Sequence, residues 1–394
     1  MPTNYERQLS PLPAIQRVLT GTRSDPRRQV FLRYAEQAAK NCPGVHGVRD
    51  PGLVDTYERT LVWALDVLTG SRIGMQKPPL PVTVFIFEIG EWRGEPYPVT
   101  FKHSTSLAMG LPCRFQSATP AQQRMSAGSA AVHEMCHVVC YSQPGMANGG
   151  IADPRWSFLG EGTAVWMEML LATDRTSPCH SRQYLEFALD WCDRPDVPLD
   201  ATLGEYQAFL FVHYLTRSFG GKAFIGKIWK SAKTGTDAWD VLRTLTKKVA
   251  DEVFRDYAAE AYLLNEPSSR CYAPAIYKRF GPRALSGYID LAKGQVAQIA
   301  GEVWGLASPY YRVAVPDGTD VEIDCPGPEW GRAMALAAGV ATSTHTRVTP
   351  TVMLNKPGLI HVSVPSGDRH VWLTVCGKAG LKRQERFSLT LRGV

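Results

Sequence analysis

The segment that most restricts the fold begins at Thr119. Thr119-Pro120-Ala121-Gln122 puts an N-cap threonine, a proline at the first helical position and a glutamine three residues after the cap, a combination that satisfies the free N–H groups of a helix start. No further proline follows until Pro144, so the pattern predicts one helix to about Tyr141. Inside it lies His133-Glu134-Met135-Cys136-His137. Histidines at i and i+4 share one face of a helix, one turn apart. Two imidazoles can then reach one metal ion, with Glu134 beside them in reach of a water. That is the physical content of H-E-x-x-H: two zinc ligands and a general base. The pentapeptide alone is not proof, since two helical histidines can also make ordinary packing or hydrogen-bond contacts.

A second segment changes the odds. Trp156-Ser-Phe-Leu-Gly-Glu161-Gly-Thr-Ala-Val-Trp166-Met-Glu168 follows after 23 intervening residues between His137 and Glu161, enough for a turn, a loop and a second helix. Together the two segments resemble the gluzincin metallopeptidases of the aminopeptidase-N and thermolysin superfamily, in which a glutamate on a second helix completes a His-His-Glu zinc site. The nearest pattern is W-L-x-E-G-x-A-x-Y-x-E. Phe158, Leu159, Glu161, Gly162, Ala164, Trp166 and Glu168 hold its positions, two of them with aromatic replacements. The resemblance implies that His133, His137 and Glu161 hold one Zn²⁺ and that Glu134 is the general base. Gly162 and Ala164 would let the two helices approach closely. Glu168, two turns after Glu161 on the same face, is a candidate acceptor for a ligand histidine N–H, with a surface glutamate as the alternative.

The same family carries a tyrosine at the opening of a later helix that donates to the oxyanion. Tyr206, after the expected capping box Thr202-Leu-Gly-Glu205, resembles it, and His213 lies two turns further on. His213 is a cleft candidate, with a core histidine as the alternative. The resemblance spans roughly residues 80–265 and has departures. The Gly-Ala-Met-Glu-Asn type of sequence that anchors a substrate amino terminus is absent, which points to an endopeptidase rather than an aminopeptidase. The N-E-x-x-D form of thermolysin is also absent, and the gap from His137 to Glu161 is longer than in either relative, so 141–153 reads as an inserted loop.

Around this centre, apolar spacing predicts helices over 28–41 and 55–68, giving a helical region 1–80. The β-branched and aromatic run at 82–88 predicts a strand. Residues 110–115 form a candidate strand that Pro112 confines to an edge, and an extended substrate could add to it. Helical patterns dominate from 156 to 264. From residue 310 the chain alternates short apolar runs with Pro/Gly/Asn/Asp turns, predicting strands over 310–315, 320–324, 332–338, 351–354, 359–364, 370–376 and 387–392. The expected fold is α+β: a mainly helical zincin-like catalytic domain with a small upstream sheet (81–300), followed by an all-β sandwich (301–394).

The net charge of +6 over 394 residues, from 43 basic and 37 acidic side chains, has no long one-sign block and gives no support to nucleic-acid binding. The longest apolar runs are too short to span a bilayer. The polar start lacks the layout of a signal peptide, so a cytoplasmic location is expected, with secretion or translocation without a classical signal as the alternative. Nine cysteines without a C-x-x-C read as mostly free thiols. Cys136 and Cys140 should pack the back of the zinc helix, and a bridge between Cys325 and Cys376 is conceivable. Tyr310, Tyr311, Trp330 and Trp372 read as core, with a glycan-lining role as the alternative. The expected activity is zinc-dependent cleavage of protein or peptide. Its alternative is a zinc protein without peptidase activity whose β domain binds protein or glycan.

Overall fold

The computed structural model describes residues 19–36, 50–87, 106–113, 119–146, 154–180, 194–200, 204–233, 235–261 and 285–394 apart from 331, 343–348, 355, 366–368 and 380–382, together with residues 48, 91–92, 95–96, 99–103 and 115. The fold is α+β, as expected: an N-terminal sheet, a helical middle and a C-terminal pair of sheets. By their internal contacts, residues 1–188 with 215–238 form one unit, and residues 189–214 with 239–394 form the other.

The first unit opens with a hairpin, β1 (Gly21–Ser24) and β2 (Val30–Tyr34), followed by helix α1 (Pro51–Thr69) and strand β3 (Val82–Ile86). The helix expected over 28–41 is therefore corrected. Val30-Phe31-Leu32-Arg33-Tyr34 is rich in β-branched and aromatic residues, and it pairs in parallel with β3, Val30 opposite Val82 and Leu32 opposite Val84. Pairing on an established sheet outweighs a short apolar spacing that a helix would also satisfy. Residues 37–41 lie outside the described residues. Helix α1 is close to its expected span. Asp50 caps it by accepting the Gly52 N–H, Pro51 opens it, and Leu53, Tyr57, Leu61, Ala64, Leu65 and Leu68 form its buried stripe.

Two short pieces, β4 (Glu91–Trp92) and β5 (Glu95–Pro96), pair with each other, and β6 (Val99–His103) and β7 (Ser106–Leu111) complete the main sheet in the order β1-β2-β3-β7-β6. The edge strand expected at 110–115 is thus displaced. The strand ends at Leu111, before Pro112, and lies between β3 and β6. Among the described strands the sheet's edges are β1 and β6, and β6 is the one next to β7.

Helix α2 (Pro120–Tyr141) starts with the expected reciprocal cap between Thr119 and Gln122 and ends at the expected residue. Every residue from Ser126 to Tyr141 is buried. Its Ser126-Ala-Gly-Ser-Ala-Ala run keeps the helix thin enough to pass between α1, the sheet strands β6 and β7, and helix α3 (Pro154–Thr173). A Cβ on Gly128 would strike the Cys179 thiol, so this glycine is needed for a close approach. The unit also contains the end of α4 (Ala208–Ser218) and all of α5 (Ala223–Ser231).

The second unit holds α6 (Ala238–Thr246) from Trp239 onward, α7 (Ala250–Ala261) and the strands β8 (Gly287–Asp290), β9 (Val296–Val303), β10 (Tyr310–Ala314), β11 (Val321–Cys325), β12 (Met334–Thr342), β13 (Thr349–Leu354), β14 (Gly358–Val362), β15 (Arg369–Gly377) and β16 (Glu385–Gly393). They form two sheets, β13-β12-β15-β10-β8 and β14-β11-β16-β9. The strands begin at Gly287, ahead of the region expected to be β. Val321, Ile323, Leu336, Val371, Leu373, Val375, Leu389 and Leu391 alternate inward and fill the space between the sheets. On the other face of β15, Trp372 packs with Tyr310, Ala337 and Ala341 against Ala259 of α7, and the Tyr310 hydroxyl donates to Ala258 O at 2.7 Å. Tyr310, Tyr311, Trp330 and Trp372 are all buried, as core residues should be.

Cys325 and Cys376 are free thiols, so the conceivable bridge does not exist. Parity explains it: Val371, Leu373 and Val375 face the sandwich interior with Cys325, whereas Cys376 alternates to the opposite face of β15. Burial pushes both thiols up to about 12. Cys136 and Cys140 are also buried and free, their sulfurs 3.7 Å apart on the zinc-motif helix.

Candidate metal centre

The site is built by two helices of the first unit and one strand. His133 and His137 stand one turn apart on α2, and Glu161 stands on α3. Their donor atoms all lie within 4.8 Å of one another, a convergence of His and carboxylate groups that can hold a metal ion. His133 Nε2 and His137 Nε2 are 3.0 Å apart. Glu161 Oε2 is 3.1 Å from His133 Nε2, and Glu161 Oε1 is 3.3 Å from His137 Nε2. Donors at zinc bond lengths of 2.0–2.2 Å in a tetrahedron sit about 3.3 Å from each other. The spacing of these three groups is close to that edge.

The chemistry of the donor set tells the same way. Glu168, fully buried two turns along α3, brings Oε1 to 2.8 Å from His133 Nδ1 and accepts the Ser129 hydroxyl at Oε2, 2.7 Å away. A carboxylate accepts, so the ring proton belongs on Nδ1 and Nε2 turns a lone pair towards Glu161 and His137. Lone pairs that converge at 3 Å in a buried site repel one another unless a cation or a donated N–H lies between them. Burial opposes protonation of His133, but hydrogen bonds to Glu161 and Glu168 outweigh it and hold its pKa well above the imidazole value. Burial likewise opposes ionisation of Glu161, and the two imidazoles reverse this and hold its carboxyl well below the usual range. The three donors and their spacing therefore fit a divalent ion such as zinc.

Glu134 lies beside the cluster and is buried. Its Oε2 accepts the Thr100 hydroxyl of β6 at 2.6 Å. Burial raises its pKa, against the opposing pull of His137, His133 and Thr100. A carboxylate raised from its ordinary value is better matched to moving a proton near neutral pH. Burial also raises Glu168, despite its bonds to His133 and Ser129. Glu161, with its side chain 22% exposed against 6% and 7% for the histidines, is the side of the cluster open to solvent.

The structure thus brings together His133, Glu134, His137, Glu161 and Glu168. Tyr206 and His213 belong by their contacts to the second unit and are not among the three donors. Tyr206 falls in a single 3-10 turn, Gly204–Gln207, ahead of α4, and His213 is half-buried on α4. Thr202, expected to cap that helix, lies outside the described residues. Sequence reasoning missed Thr100, which reaches Glu134 from 34 residues away. It also missed Ser129, one turn before His133, which the helical period alone would have placed on the site face.

No family model matches the chain, and no curated protein matches it. Solved structures give matches over about a quarter of the chain. A periplasmic inhibitor of g-type lysozyme from Aeromonas hydrophila is 12% identical over 27% of this chain and 98% of its own, with a TM-score of 0.22. The pre-peptidase C-terminal domain of collagenase from Bacillus anthracis is 13% identical over 27% of this chain and 94% of its own, with a TM-score of 0.19. The CUB1-EGF-CUB2 domains of rat MASP-1 are 11% identical over 27% of this chain and 42% of their own, with a TM-score of 0.18. At these values none of the three assigns this chain a fold or an activity.

Proposed function

We propose that the protein is a zinc-dependent peptidase that cuts within peptide chains. The observation that carries this is the meeting of His133, His137 and Glu161 at one point with Glu134 beside them. His133, His137 and Glu161 would hold the ion, leaving the partly exposed side of Glu161 as the approach for substrate. When bound, zinc supplies Lewis acidity, polarising a carbonyl and activating water. Glu134 takes the proton of the attacking water and later returns it to the leaving amine. Thr100 occupies Oε2 and so leaves Oε1 for that transfer. Glu168, itself fixed by Ser129, holds the His133 ring in the tautomer that offers Nε2.

The proposed strand-addition site moves with the fold. Among the described strands, the one ending at Leu111 is interior, whereas β6 is an edge and carries Thr100. An extended peptide pairing with β6 would run past the residue that orients Glu134. Tyr206 enters this reading only as the oxyanion donor that the resemblance implies.

The test is metal analysis with proteome-wide cleavage profiling, wild type against Glu134→Ala. Wild type should carry one zinc per chain and cut peptides. Glu134→Ala should keep the zinc and lose about 10²–10⁴-fold in rate. Full activity in a zinc-loaded Glu134→Ala protein would sink the mechanism. Bound zinc without cleavage of any peptide would leave a metal-binding protein of another kind.

A further inference from the structure

The two histidines of the cluster are held in different ways. His133 leans on Glu168 through Nδ1. His137 has no such prop: among the described residues its Nδ1 is buried without a hydrogen-bond partner. A ligand imidazole ordinarily donates its second N–H to a carboxylate, a carbonyl or water, which fixes the ring plane. What His137 has in that role is another ring. Tyr141, one turn further along α2, lies parallel to it, with 6° between the planes and 5.4 Å between the centroids. That is the geometry of an offset stack between i and i+4 positions.

Tyr141 is itself clamped. It is 7% exposed. Trp229 meets it edge-on at 6.1 Å, and Trp156 tilts against Trp229 at 5.4 Å. The Trp229 indole N–H donates to Thr163 Oγ1 at 3.3 Å and the Trp156 indole N–H to Thr236 O at 2.9 Å. The phenol end rests on α3 at Gly160, the residue just before Glu161. A Cβ built on Gly160 would overlap the Tyr141 hydroxyl, with Cζ next at 3.2 Å. One ring therefore joins the second donor histidine to the backbone that presents the third donor.

We propose that Tyr141 is a positioning residue of the metal centre: it sets the plane of His137 by stacking, in place of the hydrogen bond that sets His133, and ties that plane to the position of Glu161 through Gly160. This rests on the reading of the cluster as a zinc site. A metal-held imidazole is electron-poor, and the face of a phenol ring attracts positive charge, so the stack is stronger with the ion bound.

The experiment is a zinc titration of the full chain against a chromophoric chelator, repeated with cobalt to record the visible absorption of the centre. Tyr141→Leu should bind zinc about 10–100-fold more weakly, the range for losing a group that orients a ligand, and should alter the cobalt spectrum. Tyr141→Phe keeps the ring and should stay within about threefold of wild type. Gly160→Ala should weaken zinc by displacing the hydroxyl, and adding Tyr141→Phe to it should restore affinity. A wild-type chain that binds no zinc overturns the metal reading and this inference with it. A wild type that binds while Tyr141→Leu binds as tightly, with an unchanged cobalt spectrum, overturns the role of Tyr141 alone. If Tyr141→Leu does not fold, the Gly160→Ala pair decides, and failure of Tyr141→Phe to rescue it overturns the proposal.

Discussion

Helix α2 and strand β15 are both buried along most of their length, yet they are filled on opposite principles. In β15, Val371, Leu373 and Val375 face one side and Trp372 the other, and a buried polar group such as Thr374 is satisfied locally by the carbonyl of Pro309 at 2.9 Å. Any residue of similar shape and polarity would serve there. In α2, Ser129, His133, Glu134 and His137 are all buried, and their partners are Glu168, Thr100, Glu161 and each other. Each of these groups costs free energy to desolvate, and the arrangement makes physical sense only as a set. A core built for stability needs alternation. On the proposed reading, α2 is a core built around a cation, which needs particular residues at particular turns.

The largest effect expected from this difference is at Glu161. Glu161→Ala removes one of three donors from α3 and opens no cavity in the apolar core, since the side chain is partly exposed. Zinc content should fall from one ion per chain to none, while far-ultraviolet circular dichroism stays native. Retained zinc at full stoichiometry would remove Glu161 from the donor set. The counterpart in the sandwich is Leu373→Ala. Leu373 is fully buried between the sheets, and truncation should cost about 2–5 kcal/mol in denaturant unfolding, with zinc content unchanged. If Leu373→Ala also lost the metal, the two cores would not be independent.

The same contrast explains what could be read in the sequence. Both ends of α2 were legible, because a capping box and a proline limit act locally. Helical spacing put His133 and His137 on one face and Glu161 and Glu168 on another, and only the resemblance to the gluzincin pattern joined the two pairs and gave Glu134 its role. Most sandwich strands were legible from alternation between turns. The hairpin β1–β2 was not, because five apolar-rich residues from Val30 fit either period until a parallel partner, β3, is available. Strands β8 and β9 were missed for a related reason. Each borders its sheet, and β9 shows Val296, Gln298, Ala300 and Glu302 to solvent, so neither presents an apolar run. Thr100 was out of reach in principle. Its role depends on β6 lying beside α2, a contact between segments 34 residues apart.

The smallest effect lies at a polar corner of the sandwich. Asp320, just ahead of β11, accepts the Val364 N–H at 2.8 Å, the His361 ring nitrogen at 3.0 Å and the Ser363 hydroxyl at 3.2 Å. These bonds, led by the backbone N–H, hold its carboxyl below the usual aspartate value. A group whose pKa is depressed by folding adds stability above its unfolded pKa, about 3.9, and loses it as the pH falls through the folded value. Asp320→Ala should therefore lower the urea midpoint slightly at pH 7, and the gap from wild type should close in the acid range below pH ~4. Because the site is at the surface, added salt should narrow the gap as well. A gap that persisted unchanged at pH 2–3 would mean that Asp320 acts through the shape of its turn and not through its charge. The sandwich would then differ from α2 even at a corner where its polar groups converge on a single carboxylate.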